Sequence, residues 1–201
     1  MVEGRAFIDS LEGAKRSILK LGGKYKGNYS FKDIIFIPKK KNEDFNDGLV
    51  RIRVYSKNNW PTKKVVLARK KTEWRESGKL SQVVLKKEFN TEEEEAQVFM
   101  VKIFPDFKQG FEYRREGWEY GLGKQSIFVE DIENCPPTIE IEASDEKSLG
   151  ILFQKLGVKK AIRDSVPNMV AQKIKYSLTT PTRIPAPIIN LIQFLYIWIQ
   201  I

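Results

Sequence analysis

Arginines and glutamates recur at every second position in short β-rich runs, and that spacing is the chemistry-bearing feature of the chain. Arg51 and Arg53 flank Ile52, and Glu140 and Glu142 flank Ile141. Successive side chains of a strand point to opposite faces, so each pair puts its charges on one face and its apolar neighbours on the other. Guanidinium forks bind phosphate oxygens bidentately. A carboxylate cluster can hold Mg2+ or Mn2+, whose remaining coordination positions bridge phosphate oxygens.

Composition narrows the chemistry further. The 201 residues contain no histidine, which removes Ser-His-Asp and Cys-His catalysis and every His-containing zinc site. A metal must therefore be held by oxygen. Cys135 is the only cysteine, so there is no internal disulfide and no thiolate cluster, and a reducing, cytoplasmic setting is the default. Pro136 and Pro137 follow it, which reads as a turn rather than a reactive thiol. Lys plus Arg number 35 against 26 Asp plus Glu, a net charge of +9 that favours an anionic partner.

Helix punctuation is sparse. Asp9-Ser10 with Glu12 opens a first helix that Gly22-Gly23 stops. Asn90-Thr91 and the run Glu92 to Glu95 open a second, with a buried stripe of Ala96, Phe99, Met100 and Ile103. Ser144-Asp145 opens a third that ends at Gly157, and a fourth follows Asp164-Ser165 with Pro167 in its first turn. Strands are expected over 2–9, 33–37, 50–55, 63–70, 83–89, 111–120, 126–130 and 138–143. The order strand, helix, several strands occurs twice, which suggests two similar halves within a single domain, residues 1–180.

Residues 181–201 read as a separate apolar tail. As a helix, 188–201 would reach roughly 21 Å, short of the ~30 Å hydrocarbon core, so a membrane span is not expected. Packing on the domain or on a second subunit in a homodimer, membrane-surface association, and no role at all are the alternatives. Met1 to Ala6 lacks the apolar stretch of a signal peptide.

Nearly every expected strand has one apolar and one charged face, which an ordinary half-exposed sheet also shows. The segregation of sign argues for more. Arg51, Arg53, Lys70, Lys86 and Arg115 fall on the middle strands, while Glu130, Glu140 and Glu142 fall on the late ones and Glu3 on the first. A solvated sheet would mix signs from strand to strand. A closed barrel with charges inward would have a basic and an acidic wall, suited to a polyphosphate.

At these residues the sequence resembles the CYTH domain family of triphosphate tunnel metalloenzymes, which includes class IV adenylyl cyclases and thiamine triphosphatases. The matching parts are Val50-Arg51-Ile52-Arg53, Leu67-Ala68-Arg69-Lys70, Arg115, and Glu130 followed by Glu140-Ile141-Glu142. The family's opening E-x-E-x-K is represented by Glu3 and Arg5 alone, with Met1 in the first position. The resemblance implies an α+β fold, a closed eight-stranded antiparallel β-barrel with helices packed outside. It implies Mg2+ or Mn2+ on Glu3, Glu130, Glu140 and Glu142, with Glu130, Glu140 and Glu142 serving catalysis. Arg5, Arg51, Arg53, Lys70, Lys86 and Arg115 would bind the phosphates of inorganic triphosphate, ATP or thiamine triphosphate.

Hydrolysis of a phosphoanhydride bond is the leading expectation. Cyclisation of ATP to cyclic AMP and a binding module without chemistry are alternatives. Nucleic-acid binding, through Trp60, Trp74 and Trp118 near basic residues, is a further one. Those tryptophans flank turns and strand edges, where packing is the commoner use, so nucleic acid is not expected to be the main partner.

Overall fold

The structure is a computed structural model that describes residues 1–39, 49–57, 64–74, 79–89, 93–158, 161–162 and 164–179. Its elements in chain order are β1 (Val2–Phe7), α1 (Leu11–Lys20), β2 (Lys24–Pro38), β3 (Val50–Lys57), β4 (Val65–Trp74), β5 (Lys79–Phe89), α2 (Glu93–Ile103), β6 (Phe107–Leu122), β7 (Gln125–Ile132), β8 (Thr138–Ala143), α3 (Glu146–Lys155) and α4 (Val166–Thr179). The strands close into a barrel in the order β1-β5-β4-β3-β2-β6-β7-β8, and every neighbouring pair is antiparallel. This is the eight-stranded barrel with outer helices that the sequence led us to expect.

The two-halves pattern is visible in the topology. Strand, helix and three strands occur twice, as β1-α1-β2-β3-β4 and β5-α2-β6-β7-β8. Exchanging each strand for its counterpart in the other half reproduces the same circular order. The seams between halves are very unequal. β2 and β6 pair from Lys24↔Gly121 to Pro38↔Phe107, whereas among the described residues β1 and β5 share the single register pair Glu3↔Lys79.

Alternation sorts the wall into two environments. The outward residues Ile34, Phe36, Val50, Ile52, Val65 and Leu67 pack with Ala96 and Met100 of α2. Val129, Ile139 and Ile141 pack with Ile18 of α1 and with Leu149, Leu152 and Phe153 of α3. Burying each of the larger apolar side chains among these stabilises the shell by roughly 1.5–3 kcal/mol. The hydrophobic core is therefore outside the barrel, and the lumen is free to be polar.

Helix ends follow local chemistry with two departures from expectation. Ser10, not Asp9, caps α1: its hydroxyl accepts from the Gly13 N–H at 2.9 Å, while Glu12 turns to Lys15 at 2.8 Å. Asp145 caps α3 by accepting from the Ser148 N–H at 2.8 Å. In α2, Ala96 and Met100 are buried as expected but Ile103 is exposed; its expected cap at Asn90-Thr91 lies outside the described residues. β2 starts nine residues earlier than expected, at Lys24 instead of Asp33, because Lys24 to Ser30 carries no apolar alternation and becomes a strand through pairing with β6.

Among the described residues no helix is long and apolar enough to cross a membrane. The apolar run 188–201 lies outside the described residues.

β1 shows how closely wall and helix fit. A Cβ on Gly4 would stand 2.8 Å from the side chains of Leu149 and Phe153, both buried in α3. Gly4→Ala should lower stability by about 1–3 kcal/mol through overpacking. Thermal unfolding reads this directly, and an unchanged Tm would contradict the packing.

Candidate functional site

The barrel encloses a cavity of about 470 Å3. Its polar lining comes from Glu3 and Arg5 of β1, Arg51 and Arg53 of β3, Lys70 of β4, Lys79 of β5, Arg115 of β6, Glu130 of β7, and Glu140 and Glu142 of β8. Tyr29, Phe31, Tyr55 and Phe128 line the same space. The start of α4 enters it: Ser165, Val166 and Pro167 reach the cavity, and Val166, Met169 and Val170 pack against Ile35, Tyr113 and Ile132. The positive end of the α4 dipole thus adds to the basic side.

Asp33 organises the basic wall, and the sequence reading missed it. It stands opposite Arg53 in the β2–β3 register and is completely buried. Arg53 grips it with both ends of its fork, Nε to Oδ1 at 2.8 Å and Nη2 to Oδ2 at 2.9 Å, and Tyr113 donates its hydroxyl to Oδ2 at 3.0 Å. Burial alone would raise the Asp33 pKa, but Arg53 and Arg51 outweigh it and hold the carboxyl well below the usual range. Arg53 also lies 3.5 Å over the Phe31 ring. The signal available in the sequence was a lone acid heading the apolar run Ile34 to Ile37, in phase with the lumen.

Arg51 is much less well matched. Its contact with Asp33 is 3.6 Å, and among the described residues its buried Nε has no acceptor. Burial and repulsion from Arg53 depress its pKa, as burial and repulsion from Arg51 depress that of Lys70. The Nε of Arg115 is likewise buried without an acceptor among the described residues.

The acidic wall differs from expectation. Arg5 is 4% exposed and inserts between the carboxylates, donating through Nη1 to Glu130 and through Nη2 to Glu140. Nη1 also meets the Thr138 hydroxyl at 2.9 Å. Glu130 receives Arg115 at 2.9 Å and the Tyr29 hydroxyl at 2.6 Å on its other oxygen. Burial opposes charge on all of these groups, yet Arg115 and Arg5 keep Glu130 well below the usual carboxylate range, and Glu130 and Glu140 keep Arg5 above its ordinary value.

A divalent cation does not fit the expected set Glu3, Glu130, Glu140 and Glu142. Both oxygens of Glu130 are taken, Glu140 shares Arg5, and Lys79 holds Glu3 at 3.3 Å. No three acidic side chains among the described residues converge as a metal site. Glu142 remains, half-buried opposite Glu3 in the β1–β8 register; burial and the neighbouring Glu140 and Glu3 raise its pKa.

Lys86 also departs from expectation. It stands opposite Ala68 and so shares the inward face, but it is exposed and paired with Glu88 at 2.8 Å. Its ammonium turns to Glu88 of its own strand and not to the cavity. Lys79, which the sequence suggests belongs to a solvated face, takes the inward place on β5 instead. Trp118 packs against the core with the Lys15 ammonium 3.4 Å above its ring, a structural use; Trp60 and the Trp74 side chain lie outside the description.

No match was found among protein-family models or curated proteins. Solved structures do match. A Pyrococcus horikoshii protein aligns with 86% of this chain and 98% of its own at 18% identity and a TM-score of 0.70. A Hippeastrum protein, described as a candidate adenylyl cyclase that reveals a dominant triphosphatase activity, aligns over 85% of this chain and 95% of its own at 14% identity and a TM-score of 0.64. A Vibrio parahaemolyticus protein described as a candidate adenylate cyclase aligns over 85% of this chain and 97% of its own at 11% identity and a TM-score of 0.59. At these identities the likeness is one of fold, and the fold is consistent with the CYTH domain family that the sequence resembles.

Asp33 supplies a stability test with a defined sign. Its depressed pKa means that its contribution is present above the unfolded value of about 4 and is lost as pH falls towards the folded value. Asp33→Asn should cost about 3–5 kcal/mol at neutral pH, because Arg53 is left buried without its counter-charge. Denaturant titrations from neutral to acid pH should show a flatter pH dependence for the variant than for the wild type; parallel curves would remove Asp33 from this role.

Proposed function

We propose that the tunnel binds a small molecule carrying a linear triphosphate and hydrolyses one of its phosphoanhydride bonds. The observation that supports this best is the state of Arg51 and Lys70. Both face the cavity, and both have depressed pKa values from burial and like-charge neighbours, so an entering polyanion relieves a repulsion already present. The orphaned Nε atoms of Arg51 and Arg115 point to the same need for acceptor oxygens.

In this reading Arg51, Arg53, Lys70 and Arg115 hold the phosphates and neutralise the charge that grows on the leaving phosphate. Asp33 positions Arg53 without touching substrate. Glu142 orients a water for in-line attack; it is the lumen carboxylate that no guanidinium or ammonium grips among the described residues. The water oxygen forms the new P–O bond, its proton passes to Glu142, and the bridging oxygen departs with the electron pair of the broken bond. Tyr29, Phe31, Tyr55 and Phe128 favour a triphosphate with an organic group attached. The triphosphatase activity ascribed to the Hippeastrum protein of the same fold fits this reading.

Phosphate release from inorganic triphosphate, ATP and thiamine triphosphate, with and without Mg2+ or Mn2+, is the direct test, with chromatography for cyclic AMP to detect cyclisation. Arg51→Ala and Glu142→Gln should each lower kcat/KM by about 10²–10³-fold. Lys86→Ala should leave it unchanged. Wild-type rates in both lumen variants would refute the assignment, and absence of turnover and of triphosphate binding would refute the tunnel.

A further inference from the structure

Resting on the triphosphate-tunnel reading, we infer that Arg5 is the fixed cation of the acidic wall, and that the tunnel takes up a free triphosphate without Mg2+ or Mn2+. The argument starts from donor geometry. A divalent ion bound by carboxylates needs oxygens that are open and turned towards a common point. Here the oxygens of Glu130 and one oxygen of Glu140 point at the Arg5, Arg115 and Tyr29 donors instead.

Arg5 is built in rather than draped over the site. It lies opposite Glu140 in the β1–β8 ladder, so its guanidinium starts beside the carboxylate it neutralises. Its carbonyl accepts the Ile162 N–H at 2.6 Å, and the next residue, Ala6, forms a bridge with Ala161. Strand β8 on one side and this short bridge on the other fix its backbone. The Thr138 hydroxyl takes a further donor, which leaves little freedom for the side chain to withdraw. A metal entering here would meet a positive group already hydrogen-bonded to the oxygens it requires.

The consequence concerns the form of the ligand. A triphosphate already carrying a divalent ion would bring that ion towards Arg5 and Lys79, a like-charge approach. An uncomplexed triphosphate meets Arg51 and Lys70 without that conflict.

Calorimetric titration of the full chain with inorganic triphosphate, in EDTA and in excess Mg2+, separates the outcomes. Binding in EDTA at least as tight as in Mg2+ supports the inference. Binding only with Mg2+ overturns it while leaving the tunnel reading intact, and binding in neither overturns both. Mn2+ followed by electron paramagnetic resonance, without triphosphate, gives an independent readout. The wild type should leave the free Mn2+ signal undiminished, whereas Arg5→Gln, shown folded by circular dichroism, should reduce it by freeing Glu130 and Glu140. A wild-type chain that binds Mn2+ tightly in the lumen would contradict the inference even if the variant does not fold. Arg5→Lys, which keeps the charge, should retain triphosphate binding in EDTA; a metal requirement in that variant would count against the charge as the deciding property.

Discussion

The compensation of Glu130 is the constraint on which the rest of the barrel depends. A carboxylate buried in a lumen is tolerable only if its charge is met and its lone pairs are filled. Glu130, on β7, is met by Arg5 from β1, Arg115 from β6 and Tyr29 from β2. One side chain thereby ties together strands from both halves. The arrangement also fixes which charges remain: those on Arg51 and Lys70 are left under-compensated, the imbalance on which the proposed binding of an anion rests.

Asp33 is the counterpart on the opposite wall. It gathers Arg53 and Tyr113 as Glu130 gathers Arg5, Arg115 and Tyr29. In both cases an acid in the wall orients guanidinium groups that the lumen would otherwise have to solvate. The lining is thus a set of pre-aligned dipoles and charges, with reorganisation already done before a ligand arrives. The placement of the apolar cores outside the wall makes this feasible, since α1, α2 and α3 supply the hydrophobic stabilisation that a polar lumen cannot.

Much of the barrel was legible in the sequence because alternation reports faces directly. Val50 to Tyr55 and Thr138 to Ala143 each separate a charged from an apolar face, the sorting of Arg from Glu along the chain suggested that the charges face inward, and the closed eight-stranded barrel came with the family resemblance. What alternation does not report is distance across the lumen. Arg5 reads as one more cation beside Glu3, and nothing in its neighbours reveals that it reaches Glu130, 125 positions away in the chain. Lys86 shows the converse failure: its phase is inward, yet it is exposed and paired with Glu88 of its own strand. Polar strand segments such as Lys24 to Ser30 are likewise invisible to hydrophobic periodicity and are set by the partner strand.

The inequality of the two seams has a mechanical consequence. Along β2 and β6 the halves are zipped by a long backbone ladder, while along β1 and β5 among the described residues they meet at Glu3 and Lys79, where the side chains also form an ion pair. Backbone ladders are nearly indifferent to ionic strength, but an ion pair near water is screened. An opening of the barrel is therefore expected first along β1 and β5, where one register pair and one ion pair carry the closure among the described residues.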